Sequence, residues 1–380
     1  MSDYRKPVIL LLGPVSPATG GMETMMQEIL HSGLRRKYAI IHIDNSKPTL
    51  IRRASLKHSG YRAALLRNPL LTLYSFTLSL LFLVRYLVIL VSKPVDVIHI
   101  HTASYSSFWE KALFILAGKL FAKPIILHIH GARFDHFYNS SRTPVRGLIK
   151  KIIMLCDRVI ALSQYWQDFF TGIAGETRVL MVENCINTLA YINSKTAKTE
   201  KPTVLFLGEL SHRKGIDDLF KIANYIKNKG VTARFIAAGP GNFSLLNSRL
   251  QEQGLQDIVV ITPPVFGEPK RLLLAQSWMF ILPSYAEGMP IAIIEALAAG
   301  LPVIATQVGG LTDMITNRVN GFLAPPGNIE LLGNSILALL QNDHLRHTIA
   351  ANNTTLAVRR FDIHLLVDRL DSIYSGLIRA

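Results

Sequence analysis

Cysteine is nearly missing from this chain: 380 residues contain two, Cys156 and Cys185. Two thiols cannot build a disulfide framework and make no zinc set by themselves, so a reducing compartment is expected and both read as ordinary core residues. Acid is missing from one long stretch. From Asn45 to Val95 there is no Asp or Glu, while Lys47, Arg52, Arg53, Lys57, Arg62, Arg67, Arg85 and Lys93 are basic. The opening "MSDYRKPVILLLG" lacks the long apolar core of a signal peptide, and a cytoplasmic protein is expected. No Asp-x-Asp pair is present to hold a metal beside a phosphate. No ribonucleoprotein pattern, zinc finger or basic zipper occurs either, so nucleic acid is not an expected partner.

What is present describes a packed globular protein. Apolar residues make up 49% and charged residues 18%, far from a disordered composition. The length is large for one core, so two domains are expected. The net charge of +15 is uneven: residues 1–190 hold 23 Lys/Arg against 11 Asp/Glu, and residues 191–380 hold 18 against 15. A surplus of +12 in one half attracts anionic lipid head groups or phosphorylated ligands.

Short Val/Ile-rich runs alternate with helical patterns. Residues 8–13, 38–44, 96–103, 124–131 and 158–163 read as buried parallel strands, with helices such as 22–35 and 106–122 between them. The series restarts at 202–210 and continues at 233–241, 257–264, 278–284 and 301–310. The polar stretch "NTLAYINSKTAKTEKP" shows no clear period and reads as the linker. The expected architecture is therefore α/β, with two facing Rossmann-like doubly wound domains. The N-terminal domain is placed at 1–187, the linker at 188–202 and the C-terminal domain at 203–360. A helix over 361–380 is expected to pack back on the N-terminal domain. Ligands in such sheets bind beyond the carboxyl ends of the strands. Residues 69–91, interrupted only by Arg85, read as a buried or membrane-surface helix rather than a spanning one, because the run leads straight into a strand at Asp96.

Two carboxylates stand out in "PSYAEGMPIAIIEALAAGLPVIAT", residues 283–306. Glu287 falls in a loop, at the positive end of a helix expected to start near Met289 or Pro290. Glu295 falls inside that helix, where its neighbours Ile294, Ala296, Leu297 and Ala298 offer no cation. A buried acceptor without an internal donor points to an external one, such as a sugar or ribose hydroxyl. Backbone amides at Gly288 and Met289 are candidates to hold an anion.

"EGMPIAIIEALAAGLPVIAT" resembles the E-x7-E signature of the retaining nucleotide-sugar glycosyltransferases of family 4, which have two facing Rossmann domains (GT-B). The resemblance extends in order through "GPVSPATGGMETMMQEIL", "HIHG", "RVIALS", "VENCIN", "GELSHRKGIDDL" and "VGGLTDMITNRVNGFLAPPGNIELL". It implies a transferase moving a sugar from a nucleotide-sugar, expected to be a UDP-sugar, to a polysaccharide or lipid-linked glycan, with retained anomeric configuration and no metal or other cofactor. An epimerase or hydrolase of the same fold is the alternative.

By the same resemblance Glu295 matches the carboxylate on the donor ribose, and Glu287 the one on the transferred sugar, helped by Gly288 and Met289. His130 matches the histidine beside that sugar, and Lys214 the lysine on the diphosphate. Gly20 and Gly21 match the glycine loop, and Gly208 opens the phosphate loop. That loop has Glu209 where an Arg is common, so Arg213 is expected to supply the missing cation. Asn187 and Cys185 likewise stand where Asp and Gly are common. An acceptor on a lipid carrier would place an anionic membrane beside the basic half. There Arg52, Arg53, Lys57, Arg62 and Arg67 adjoin the apolar helix and are expected to meet it.

The pairs His99-x-His101 and His128-x-His130 each present one strand face and together could bind a metal. No acidic residue follows at the spacing metallohydrolases use, so no metal is expected and His130 is the functional candidate.

Overall fold

The computed structural model describes residues 5–15, 20–46, 68–194 and 196–379. These form two compact units. The first comprises the opening strand, Met22–Glu183 and His364–Ala380; the second comprises Asn184–Ile363 together with Gly20 and Gly21.

Each unit is built on a parallel six-stranded sheet. Among the described residues the strands are β1 (Val8–Leu12), β2 (Ala39–Ile43), β3 (Val95–Thr102), β4 (Ile125–Ile129), β5 (Arg158–Ala161) and β6 (Val179–Met181) in the first unit. The second has β7 (Thr203–Leu207), β8 (Arg234–Ala238), β9 (Val259–Thr262), β10 (Met279–Leu282), β11 (Val303–Thr306) and β12 (Gly321–Ala324). Every residue of β1, β4, β7, β10 and β11 is buried. Helices covering both faces demand unbroken apolar runs of this kind.

The strand orders are β2-β1-β3-β4-β5-β6 and β12-β11-β10-β7-β8-β9. The order reverses between β1 and β3 in the first sheet and between β7 and β10 in the second. Connections leave the sheet in opposite directions at such a point, which opens a crevice at the carboxyl ends. The chain segments that follow β7 and β10 carry Lys214 and Glu287.

Except for β3, the observed strands are shorter than the apolar runs suggest, because those runs extend into the loops at their ends. β4 ends at Ile129, so His130 follows the strand instead of belonging to it. The helix expected over 22–35 breaks at Ser32 and Gly33 into Gly21–His31 and Leu34–Lys37. β6 and β12 are not among the strands expected from the sequence: β6 is three residues long with one buried, and β12 opens on a glycine and has two of its four residues buried. Neither makes an apolar run. The stretch read as linker contains the helix Leu189–Ile192 and belongs to the second unit.

Helix Ile291–Ala298 is apolar at every position but Glu295 and is buried at seven of its eight positions. A helix this apolar belongs in a core. It ends in a Schellman motif: Leu301 N–H donates to the Ala296 carbonyl and Gly300 N–H to that of Leu297, with Gly300 at φ +69°. Helix Pro69–Ser92 is the opposite case. Asn68 caps it through the Leu71 amide, Pro69 opens it, and only Ser75, Tyr86 and Leu90 are buried. Of the two expectations for it, buried or membrane-surface, the buried one does not hold. Its one deep anchor is Tyr86, which donates to the Phe114 carbonyl at 2.9 Å.

The chain ends with helix Ile363–Arg379, whose buried Leu366, Leu370 and Tyr374 form one stripe. From His364 onward it belongs to the first unit. Asp371 accepts from Tyr38 at 2.7 Å and from Lys37 at 2.6 Å.

Candidate active site

The second unit brings Glu287, Lys214, Arg213 and Gly208 together on the loops behind β10 and β7. Four contacts lace these loops. Tyr285 N–H donates to the Arg213 carbonyl at 2.8 Å, and Arg213 Nη1 donates to the Ala286 carbonyl at 3.3 Å. Tyr285 Oη donates to Asp218 at 2.7 Å. Gly215 lies in the left-handed region at φ +79°, where a Cβ would sit 2.0 Å from the Pro283 carbonyl oxygen. Only glycine fits there, and it turns the chain from the short 3-10 helix His212–Lys214 into helix Ile216–Asn228.

Glu287 is buried, and its charge has an internal partner. Lys214 Nζ donates to both carboxylate oxygens, at 2.7 and 2.9 Å, and Ser284 Oγ donates to Oε1 at 2.6 Å. Glu295 is also buried and also paired: Lys270 Nζ donates to Oε1 at 2.5 Å and Tyr191 Oη donates to the same oxygen at 2.7 Å. This corrects the expectation that Glu295 has no internal donor. The donors come from helices Gly267–Gln276 and Leu189–Ile192, remote in sequence, so a scan of neighbouring residues could not find them. Both bonds fall on Oε1 and neither engages Oε2.

Arg213 is placed differently from Lys214. Its guanidinium pairs with Glu209 at 3.0 Å, and a third of its side chain is exposed, against 15% for Lys214. The residue standing where an Arg is common thus holds the cation expected to replace it. Gly288 and Met289 follow Glu287: the Gly288 carbonyl accepts from Gly310 N–H at 3.1 Å, and the buried Met289 carbonyl accepts from Asn184 Nδ2 at 2.7 Å. Gly21 opens helix Gly21–His31, with Gly20 directly before it. Arg52, Arg53, Lys57, Arg62 and Arg67 lie outside the described residues.

In the first unit the strand register sets His101 opposite His128. The rings of His99, His101, His128 and His130 cluster at tilts of 3° to 35°, neighbouring centroids lying 4.3 to 5.4 Å apart. His101 Nδ1 meets His130 Nε2 at 2.8 Å, and His99 Nδ1 meets Tyr374 Oη at 2.7 Å. Burial pushes His130 and His99 down to about 3, and drives His101 and His128 well below the ordinary histidine value. All four imidazoles are therefore neutral near pH 7. The two cysteines are buried and form no disulfide; burial pushes the Cys156 thiol up to about 12.

Reading residues singly missed Lys270, Tyr191, Ser284 and Tyr374. Only Ser284, three positions before Glu287, carried a local signal.

Residues 19–188 match the family described as Glycosyltransferase Family 4, and residues 188–355 match Glycosyl transferases group 1. The chain belongs to this glycosyltransferase family. Among relatives of this family-4 chain, 2-deoxystreptamine N-acetyl-D-glucosaminyltransferase of Niallia circulans is 25% identical over 74% of the chain and 76% of its own length. GDP-mannose:cellobiosyl-diphosphopolyprenol alpha-mannosyltransferase of Xanthomonas campestris is 25% identical over 75% of each. Sucrose-phosphate synthase from Thermosynechococcus elongatus shares the fold at a TM-score of 0.75 and 17% identity, over 99% of this glycosyltransferase and 100% of that chain. Anabaena HepE in complex with UDP-glucose does so at 0.74 and 19%, over 97% and 99%. The chain is a glycosyltransferase of the GT-B fold, and none of these relatives supports the epimerase or hydrolase alternative.

Proposed function

We propose that the protein transfers a sugar from a UDP-sugar to a polysaccharide or lipid-linked glycan acceptor, with retention of configuration and without a metal. The observation that carries this reading is the buried Lys214–Glu287 pair at the strand-order reversal of the second sheet. Breaking the bond between a sugar and a diphosphate builds negative charge on the leaving oxygen and positive charge on the sugar carbon. Lys214 lies in the last residues before helix Ile216–Asn228, whose amino end is positive. Together they stabilise the leaving diphosphate, and fixed donors of this type contribute about 3 kcal/mol each. Glu287 already orients Lys214; its carboxylate then accepts from hydroxyls of the transferred sugar. Glu295 uses Oε2 for the ribose hydroxyls while Lys270 and Tyr191 hold Oε1. The neutral His130 is the imidazole that the family resemblance assigns to hydrogen bonding with the donor sugar. The sugar–phosphate bond breaks, the glycosidic bond forms on the same face, and the acceptor hydroxyl's proton passes to the departing phosphate.

Three relatives are named for diphosphopolyprenol or diphospho-undecaprenol acceptors, which supports a lipid-linked acceptor; the apolar, exposed helix Pro69–Ser92 supports a peripheral position at a membrane surface. The decisive experiment incubates the purified protein, with chelator present, with UDP-, GDP- and ADP-sugars and an acceptor extract. The expected result is release of UDP coupled to addition of one hexosyl unit, the new linkage keeping the donor's anomeric configuration by NMR. Sugar isomerisation without acceptor, or an inverted linkage, would overturn the reading.

A further inference from the structure

The transfer chemistry uses His130 and leaves three buried histidines unexplained. His99, His101 and His128 have no exposed surface, and each has a ring nitrogen within 4.8 Å of one on the other two. His101 Nε2 and His128 Nε2 are buried without a hydrogen-bond partner among the described residues. Two orphaned polar atoms so close together in a core require a reason.

A neutral imidazole carries one N–H and one lone pair. If His101 Nδ1 donates to His130, His99 Nδ1 donates to Tyr374 and His128 Nδ1 donates to His99 Nε2, both orphaned nitrogens become bare lone pairs. Those three pairings lie at 2.8, 2.7 and 3.3 Å.

We propose that His99, His101 and His128 bind one divalent transition cation of the zinc class. Three imidazoles and no side-chain oxygen ligand suit zinc and its neighbours and disfavour magnesium or calcium. Tetrahedral bonds of about 2.0–2.1 Å bring ligand nitrogens to about 3.4 Å from one another, so the rings close inward by rotation, His99 exchanges its His128 contact for the metal, and a water that enters with the cation takes the fourth position. His101 keeps His130 on its other nitrogen and His99 keeps Tyr374, the outer hydrogen bonds that orient metal-bound histidines. The half-buried His130 is the outermost ring of the four and marks the way in. The missing acidic residue that argued against a metal from sequence is not needed by a three-imidazole set. The cation ties β3, β4 and, through Tyr374, the C-terminal helix together, and takes no part in sugar transfer.

The protein is stripped with chelator, reloaded with Zn2+ or Co2+, and dialysed. The expected result is one Zn2+ per chain, a melting temperature raised by several degrees, and an intense visible Co2+ band of tetrahedral nitrogen ligation. His101→Gln and His128→Gln should each lose all three, and the exposed His344→Gln should keep them. Should the buried variants fail to fold, the wild-type Co2+ spectrum decides alone. A wild-type protein without the visible band, as when a water fills the cluster, overturns the proposal; so does unchanged Zn2+ uptake in a folded His101→Gln.

Discussion

Glu287 grips the ammonium of Lys214 with both carboxylate oxygens, at 2.7 and 2.9 Å, with 4% of one side chain and 15% of the other exposed. Charges so poorly solvated are stable only as a pair. Lys214 is therefore preorganised and largely dehydrated at the carboxyl end of the sheet, as the proposed diphosphate-binding role requires. Arg213 is spent largely on Glu209. Lys214→Ala should lower kcat/KM by about a hundredfold or more, and Arg213→Ala by less than about tenfold. Steady-state kinetics on the preferred donor checks the ranking, and equal losses would contradict it.

Glu295 holds Lys270 and Tyr191 on Oε1, and the proposed ribose contact falls to Oε2. Glu295→Gln should weaken nucleotide binding about tenfold or more, the scale of a hydrogen bond to a charged acceptor. Tyr191→Phe leaves Lys270 in place on Oε1 and should change affinity by less than about threefold. Calorimetry with UDP reads both. Unchanged affinity in Glu295→Gln would remove the ribose role.

The same residue carries a stability prediction. Lys270→Met strands the Glu295 carboxylate and should cost about 3 kcal/mol in urea unfolding of the second unit. Adding Glu295→Leu should restore most of that loss, since no charge then remains buried. Additive losses would mean that the two side chains are not energetically coupled.

The second-unit site was legible where its parts are local. An eight-residue spacing across a loop and a helix start puts Glu287 before helix Ile291–Ala298 and Glu295 within it, and Lys214 stands beside a left-handed glycine. What stayed hidden was long-range. Tyr191 and Glu295 are 104 positions apart and Lys270 and Glu295 are 25 apart, and no periodicity reports such pairs. β6 and β12 escaped for a different reason: edge strands that are short and only partly buried need no continuous apolar run. The histidines illustrate both sides. Strand alternation puts each pair on one face of its own strand, but only the sheet register brings His101 against His128 and their tilted rings into one cluster.

Asp371 anchors the returning helix by accepting from Lys37 and Tyr38. Partial burial pushes its carboxyl up, but the hydrogen bonds from Lys37 and Tyr38 outweigh that and hold it below its ordinary value. A carboxyl depressed in the folded state binds fewer protons there than in the unfolded chain. Its stabilisation is therefore complete above the unfolded value of about 3.9 and is lost as pH falls through the folded one. Asp371→Asn should lower the melting temperature of the first unit at pH 7, and the gap to wild type should close below about pH 4. A gap independent of pH would mean that the contact acts by shape and not by charge.

Helix Pro69–Ser92 carries the last prediction. It is long and apolar enough to cross a membrane, yet the chain runs from it after two residues into β3, a central strand of the first sheet. Leu70, Leu73, Phe76, Leu80, Leu81, Val84, Val88 and Val91 are each at least half exposed. An apolar surface of that extent marks a contact with something apolar. Across the first unit the Lys/Arg surplus and the acid-free stretch 45–95 select anionic over neutral lipid, each cation near the surface adding about 1 kcal/mol. The protein should pellet with anionic vesicles, less with neutral ones, and be released by about 0.5 M salt. Replacing Arg52, Arg53, Lys57, Arg62 and Arg67 by Gln should abolish pelleting and leave UDP affinity unchanged. Leu73→Glu with Phe76→Glu should weaken pelleting even at low salt, because that pair removes the insertion and not the attraction. Retention in high salt would instead require a spanning helix, and no pelleting at all would assign the enzyme a soluble acceptor.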